Sequence, residues 1–143
     1  MSPLTIESSR FGTLEIASED VIEFPTGLVG LSSRRYTIVA PTATGPFRWL
    51  HSVDDPTLAL PIANPWDFFT DYAVELSEAD VARVGADSAA IWVVVRAGDE
   101  LADFSANLHA PIVIASGRGH QVINELVHPV RIALFPEMSV QAA

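Results

Sequence analysis

The side chains best suited to acid–base or metal chemistry are four histidines, His51, His109, His120 and His128. None forms an H-x-H or H-x-x-x-H pair, so their spacing supplies no metal-ligand motif. A β-barrel could bring His109 and His120 together across a hairpin, yet no acidic residue adjoins them, and all four read as structural or surface histidines. His51 directly precedes Ser52. Successive strand residues face opposite sides, so this pair is not a charge relay. No G-x-S-x-G nucleophile elbow occurs. Gly117 and Gly119 give only G-x-G, without a third glycine or a helix start, which suits a hairpin turn better than a phosphate cradle. Asp54 and Asp55 precede Pro56, where adjacent carboxylates make a turn and accept local amides rather than act as a dyad. With no cysteine, disulfides, thiolate nucleophiles and cysteine-ligated metals drop out. All eight basic residues are arginines, which excludes a P-loop or Schiff-base lysine. The residues support no enzyme chemistry, and no cofactor or metal is expected.

The elements that would position these side chains are mostly strands. Alternation marks Thr13–Ile16, Val21–Phe24 and Val130–Leu134, and Tyr36–Val39 and Phe47–Ser52 are short β-rich runs. Ala90–Val95 is an apolar run suited to a strand buried on both faces. Ile112–Ala115 and Gln121–Asn124 flank Ser116-Gly117-Arg118-Gly119, a link suited to a hairpin. One helix start is evident. Ser77 can cap, Asp80 places a carboxylate in the first turn, and Leu76 and Val81 are spaced for a hydrophobic staple. The helix should run Glu78–Val84 and stop at Gly85. Many short strands and one short helix imply a mainly β fold, an antiparallel barrel or sandwich.

At about 150 residues per domain, 143 residues imply one domain, here placed over residues 1–136 with a frayed tail at 137–143. Such a chain buries enough surface to hold a core without staples. No apolar run approaches the roughly 20 residues of a membrane helix, and the N-terminus lacks a basic region followed by an apolar stretch. A soluble intracellular protein is expected. Eighteen acids against eight arginines give a net charge of −10, which argues against direct nucleic-acid binding. Residues 54–103 hold eleven of those acids and only Arg83 and Arg96, a local balance of −9. That stretch is either a solvated face or an attractive surface for a basic partner. It contains Pro61–Tyr72, which sets Trp66, Phe68, Phe69 and Tyr72 among Asp67 and Asp71. Core burial accounts for each ring individually, but aromatic rings beside acids in a proline-containing loop also suit a protein-binding surface.

Five motifs in order resemble those of the flagellar assembly factor FliW family. They are Phe11-Gly12-Thr13-Leu14-Glu15-Ile16, then Phe24-Pro25-Thr26-Gly27-Leu28-Val29-Gly30-Leu31, then Pro46-Phe47-Arg48-Trp49-Leu50-His51-Ser52 with Asp55-Pro56. Asn64-Pro65-Trp66-Asp67-Phe68-Phe69-Thr70-Asp71-Tyr72 follows, and Asn107-Leu108-His109-Ala110-Pro111-Ile112 with Gln121-Val122-Ile123 completes the set. Leu31 stands where phenylalanine is usual, and His51 where glutamine is common. The likeness runs from about residue 6 to 125. It implies a small, mainly antiparallel β-barrel-like domain with one or two short helices, cytoplasmic and without catalytic activity. It also implies two exchanging partners: flagellin, and CsrA, the RNA-binding regulator that represses flagellin translation. Binding CsrA would relieve repression, and accumulating flagellin would restore it. On this reading Asp54, Asp55, Asp67, Asp71 and Glu75 are candidates for a CsrA-facing acidic surface, and Trp66, Phe68 and Phe69 for an apolar flagellin-facing one. The competing class is a small-molecule-binding barrel or cupin-like enzyme, which would need a polar cluster around His51, His109 or His120.

Overall fold

Strand alternation places most of the chain in a closed β-barrel. The structure, a computed structural model, describes residues 4–28, 30–31, 33–40, 46–84, 89–100, 103–115, 117–126, 128–129 and 131–135. The expected tail at 137–143 and the helix stop at Gly85 lie outside them. The strands are β1 (Leu4–Ser8), β2 (Gly12–Ile16), β3 (Ile22–Glu23), β4 (Arg35–Val39), β5 (Phe47–Ser52) and β6 (Ala59–Ala63), then β7 (Ala90–Arg96), β8 (Ser105–Ala106), β9 (Ile112–Ala115), β10 (Arg118–Gln121) and β11 (Ile132–Ala133). Seven of them form the barrel, in the order β7-β6-β5-β4-β3-β10-β9, and β9 pairs back onto β7 to close it. All of these pairs are antiparallel except β3 with β10, which run parallel through Glu23 and Arg118. Strands β8 and β11 extend the sheet from β7, and β1 with β2 forms a separate hairpin.

Expected and observed elements agree at β5 and β9, and nearly so at β2, β4 and β7. The last hairpin differs. Its second strand is Arg118–Gln121, three residues earlier than the apolar pattern indicates, because Arg118 already pairs with Ala115. Only Gly117 takes a positive φ, 76°, so the link is shorter than its two glycines suggest. Gly119 lies within the strand for another reason. A Cβ there would meet Phe24 Cζ at 2.4 Å, so its missing side chain makes room for that buried ring. Pro61 belongs to β6, opposite Trp49, so the proline-containing loop begins only after Ala63.

The alternation of β6 and β7 divides the apolar residues between two clusters. Leu60, Ile62, Trp92 and Val94 turn to an inner cluster with Phe24, Tyr36, Leu50 and Ile112. Ala63, Val93 and Val95 turn to an outer cluster with Tyr72, Leu108 and Leu134. Thus β7 is covered on both faces, as its unbroken apolar run requires. Helix α1 (Glu78–Val84) starts as expected, with Asp80 N donating to Ser77 Oγ at 3.2 Å. Val81 stands 58% exposed, so a staple with Leu76 buries little of it.

Candidate functional site

The Asn64–Glu75 loop is built from inside outward. Asn64 Oδ1 accepts from Trp66 N at 2.9 Å and starts a 3₁₀ turn over Pro65–Asp67. Trp66 then lies back across the loop. Its Nε1 donates to Tyr72 O at 2.8 Å, and its ring sits 5.6 Å from the Tyr72 ring. Tyr72 is buried and its hydroxyl donates to Leu108 O at 2.8 Å. Burial pushes the Tyr72 phenol above its ordinary pKa, partly opposed by Asn124. Asn124 itself is almost wholly buried. Its Oδ1 accepts from Glu75 N (3.0 Å) and Leu126 N (3.1 Å), while Nδ2 donates to Ala73 O (2.8 Å). Glu125 N donates to Glu75 O at 2.7 Å, so two distant stretches of chain are held together here.

This frame sorts the candidate residues. Phe68 is half-buried, 5.7 Å from Phe47 and 5.7 Å from Phe135, within an aromatic group that also includes Phe104. Phe69 is half-buried beside it. Trp66 is more accessible, at 38%. Asp67, Asp71 and Glu75 are exposed, and Phe68, Phe69 and Asp71 share a cavity of about 310 Å³ with Tyr72, Leu108 and His128. Apolar walls with a carboxylate at the edge can receive an apolar side chain that carries a neighbouring positive charge.

Asp54 and Asp55 lie elsewhere. They follow Ser52, whereas the Asn64 loop follows Ala63, which pairs with Phe47 at the other end of β5. Six residues of strand separate the two acidic groups, about 17–20 Å. Asp54 is also paired with Arg35, Oδ1 to Nη2 at 2.5 Å. Asp55 Oδ1 accepts from Thr57 Oγ1 at 2.7 Å and Thr57 N at 2.9 Å, which holds its carboxyl below the usual aspartate range. The turn reading of Asp54-Asp55-Pro56 therefore fits the geometry. No local signal pointed to Arg35, nineteen residues from Asp54, or to Asn124.

His51 is spent structurally. Its Nδ1 lies 2.7 Å from Ser52 O, and its Nε2 lies 2.8 Å from Ser8 Oγ, which accepts from Phe11 N at 3.0 Å. A carbonyl only accepts, so Nδ1 carries the proton and Nε2 accepts from Ser8. His120 pairs with Val113 in the β9–β10 register, while His109 precedes that hairpin, so the register does not set the two histidines opposite each other. Among the described residues no three His, Asp or Glu side chains converge as metal ligands. None of their helices is long and apolar enough to cross a membrane.

Comparison with known proteins extends these motifs to nearly the whole chain. A flagellar assembly factor FliW of Heliobacterium modesticaldum is 34% identical, covering 93% of this chain and 92% of its own length. One from Alkaliphilus metalliredigens is 33% identical over 78% of this chain and 72% of its own length. A crystal structure described as the flagellar assembly factor FliW superposes with a TM-score of 0.84 at 28% identity, covering 92% of this chain and 97% of the other. The sequence profile of the family described as FliW protein matches residues 5–132, and the chain belongs to that family of flagellar assembly factors.

Proposed function

We propose that this protein binds flagellin and CsrA in the cytoplasm and exchanges one for the other, relieving CsrA repression of flagellin translation without catalysing a reaction. The observation that carries the reading is the family relationship, which spans nearly the entire chain at 34% identity. Charge supports it. A regulator that holds RNA is basic, and the −9 balance of residues 54–103 attracts such a protein while repelling phosphate. Among the five acidic candidates, Asp67, Asp71 and Glu75 have exposed side chains without an ion-pair partner among the described residues, so they contribute more than Asp54 or Asp55. Trp66, the most accessible ring of its loop, leads the flagellin-facing set, and Phe68 and Phe69 support it from the outer cluster.

Titration of the purified protein with flagellin and with CsrA, separately and in competition, tests the exchange. Each should form a complex, and flagellin should release CsrA. Failure to bind either overturns the proposal. Asp67→Asn with Asp71→Asn and Glu75→Gln should weaken CsrA binding and flatten its salt dependence, whereas Asp54→Asn should change it little. Trp66→Ala should weaken flagellin binding selectively. A folded Trp66→Ala protein with undiminished flagellin affinity removes that residue from the contact.

A further inference from the structure

A cavity of about 450 Å³ lies away from the Asn64–Glu75 loop and shares no residue with it. Leu14, Glu15 and Ile16 of β2 line one side, and Thr37, Ile38 and Val39 of β4 line another. Successive strand residues point to opposite faces. A cavity touched by three consecutive residues of a strand therefore runs along that strand's edge. Among the described residues both edges are open at this place: β2 pairs only with β1, and β3 leaves β4 after Ile22 pairs with Tyr36. Beyond that point the chain diverges, held by Thr37 Oγ1 donating to Asp20 O at 3.1 Å. Ile22 and Ile114 form apolar walls, and Glu15, Glu19 and Asp20 supply the only charges among the described lining residues.

We infer that this groove accepts an extended polypeptide segment of alternating apolar and basic residues, which adds as a strand along the open β2 or β4 edge. Open edges offer unpaired N–H and C=O groups, and strand addition uses those groups for affinity and side-chain pockets for selectivity. The pleat would send apolar side chains toward Ile22, Ile38 and Ile114 while basic ones meet the three carboxylates. A second copy of this chain is a poor occupant, because two molecules of net charge −10 repel each other. The inference stands apart from the exchange of flagellin and CsrA, since it names a different surface.

The test uses the full chain and a capped peptide of alternating arginine and valine, about six residues long as a typical strand is. Backbone amide shifts should move at Leu14–Ile16 and Ile38–Val39. The same peptide N-methylated at alternate residues, which loses the main-chain donors of one edge, should not bind. Glu15→Gln with Glu19→Gln and Asp20→Asn should cut affinity about tenfold, from three ion pairs of modest strength. Those side chains are exposed, and Asp20 holds Thr37 through its backbone oxygen, so the variant should keep its melting temperature. Equal binding of the N-methylated peptide overturns strand addition. Shifts confined to Asp67–Glu75, unchanged affinity in the triple variant, or self-association as the only occupancy of the groove overturn the site.

Discussion

Strands β6 and β7 feed two apolar clusters on opposite faces of one sheet, and the two are completed differently. The inner cluster takes its wholly buried members Phe24, Tyr36, Leu50, Ile62 and Ile112 from the barrel strands and the residue next to β3. The outer one depends on what the loops deliver: Phe68, Phe69 and Tyr72 from the Asn64 loop, and Leu134 and Phe135 from the C-terminal side. Barrel closure therefore protects the inner core, whereas the outer core lasts only while its covering segments stay docked. Local opening draws on regions of this second kind. Phe68 and Phe69, two of the aromatic residues proposed for partner binding, belong to that dependent cluster, and Trp66 lies on the same loop, so a partner that reorganises the loop need not disturb the barrel.

The contrast is most easily broken at Leu50. Leu50→Ala should cost about 4 kcal/mol, since a wholly buried leucine leaves a cavity that the closed barrel cannot collapse. Phe68→Ala should cost only about 2 kcal/mol, because its ring is half-buried. Urea unfolding measures both. Equal losses would mean that the outer cluster is as integral as the inner one.

Next in size is Asn124→Ala, at about 3 kcal/mol, because Glu75 N, Leu126 N and Ala73 O lose their partner together. Hydrogen exchange should quicken at Glu75 and Tyr72 while the amides of β5 keep their protection. If β5 opens equally, loop and barrel unfold as one unit and the distinction between them fails.

These differences track what was legible in the sequence. Phe47–Ser52 and Ile112–Ala115 match β5 and β9 residue for residue, and Ser77 caps its helix, because pattern and capping are local. The parallel β3–β10 pair was not visible, because strand direction depends on how the barrel closes. Strand β10 begins early because one glycine, not two, makes its turn. Strand β8 holds only two residues, too few to show a period, whereas β11, equally short, lies within the alternation of Val130–Leu134. At the candidate site, acids and aromatics could be selected by type, but their division could not be foreseen. Asp54 faces Arg35 across nineteen residues, and the Asn64 loop is anchored by a residue near position 124.

A smaller effect is expected where the β1–β2 hairpin meets the barrel, outside both clusters. His51 bridges Ser52 O and Ser8 Oγ, two roles that a glutamine amide can also fill by donating once and accepting once. His51→Leu should cost about 2 kcal/mol and His51→Gln less than about 1 kcal/mol. Equal losses in thermal unfolding would mean that the imidazole acts through packing against Phe11, 6.1 Å away, rather than through its two hydrogen bonds.

The smallest effect belongs to the turn at the far end of β5. Hydrogen bonds from Thr57 lower the Asp55 pKa below the ordinary aspartate value of about 3.9. A depressed folded-state value stabilises the fold at pH above the unfolded value, and the contribution fades as pH falls through the folded value. Thr57→Val removes the hydroxyl donor and leaves Thr57 N in place. Its melting temperature should lie slightly below that of the parent at about pH 6, and the gap should narrow as pH falls below the ordinary aspartate value of about 3.9. A gap that persists unchanged into acid would locate the threonine's contribution in turn geometry, not in the charge of Asp55.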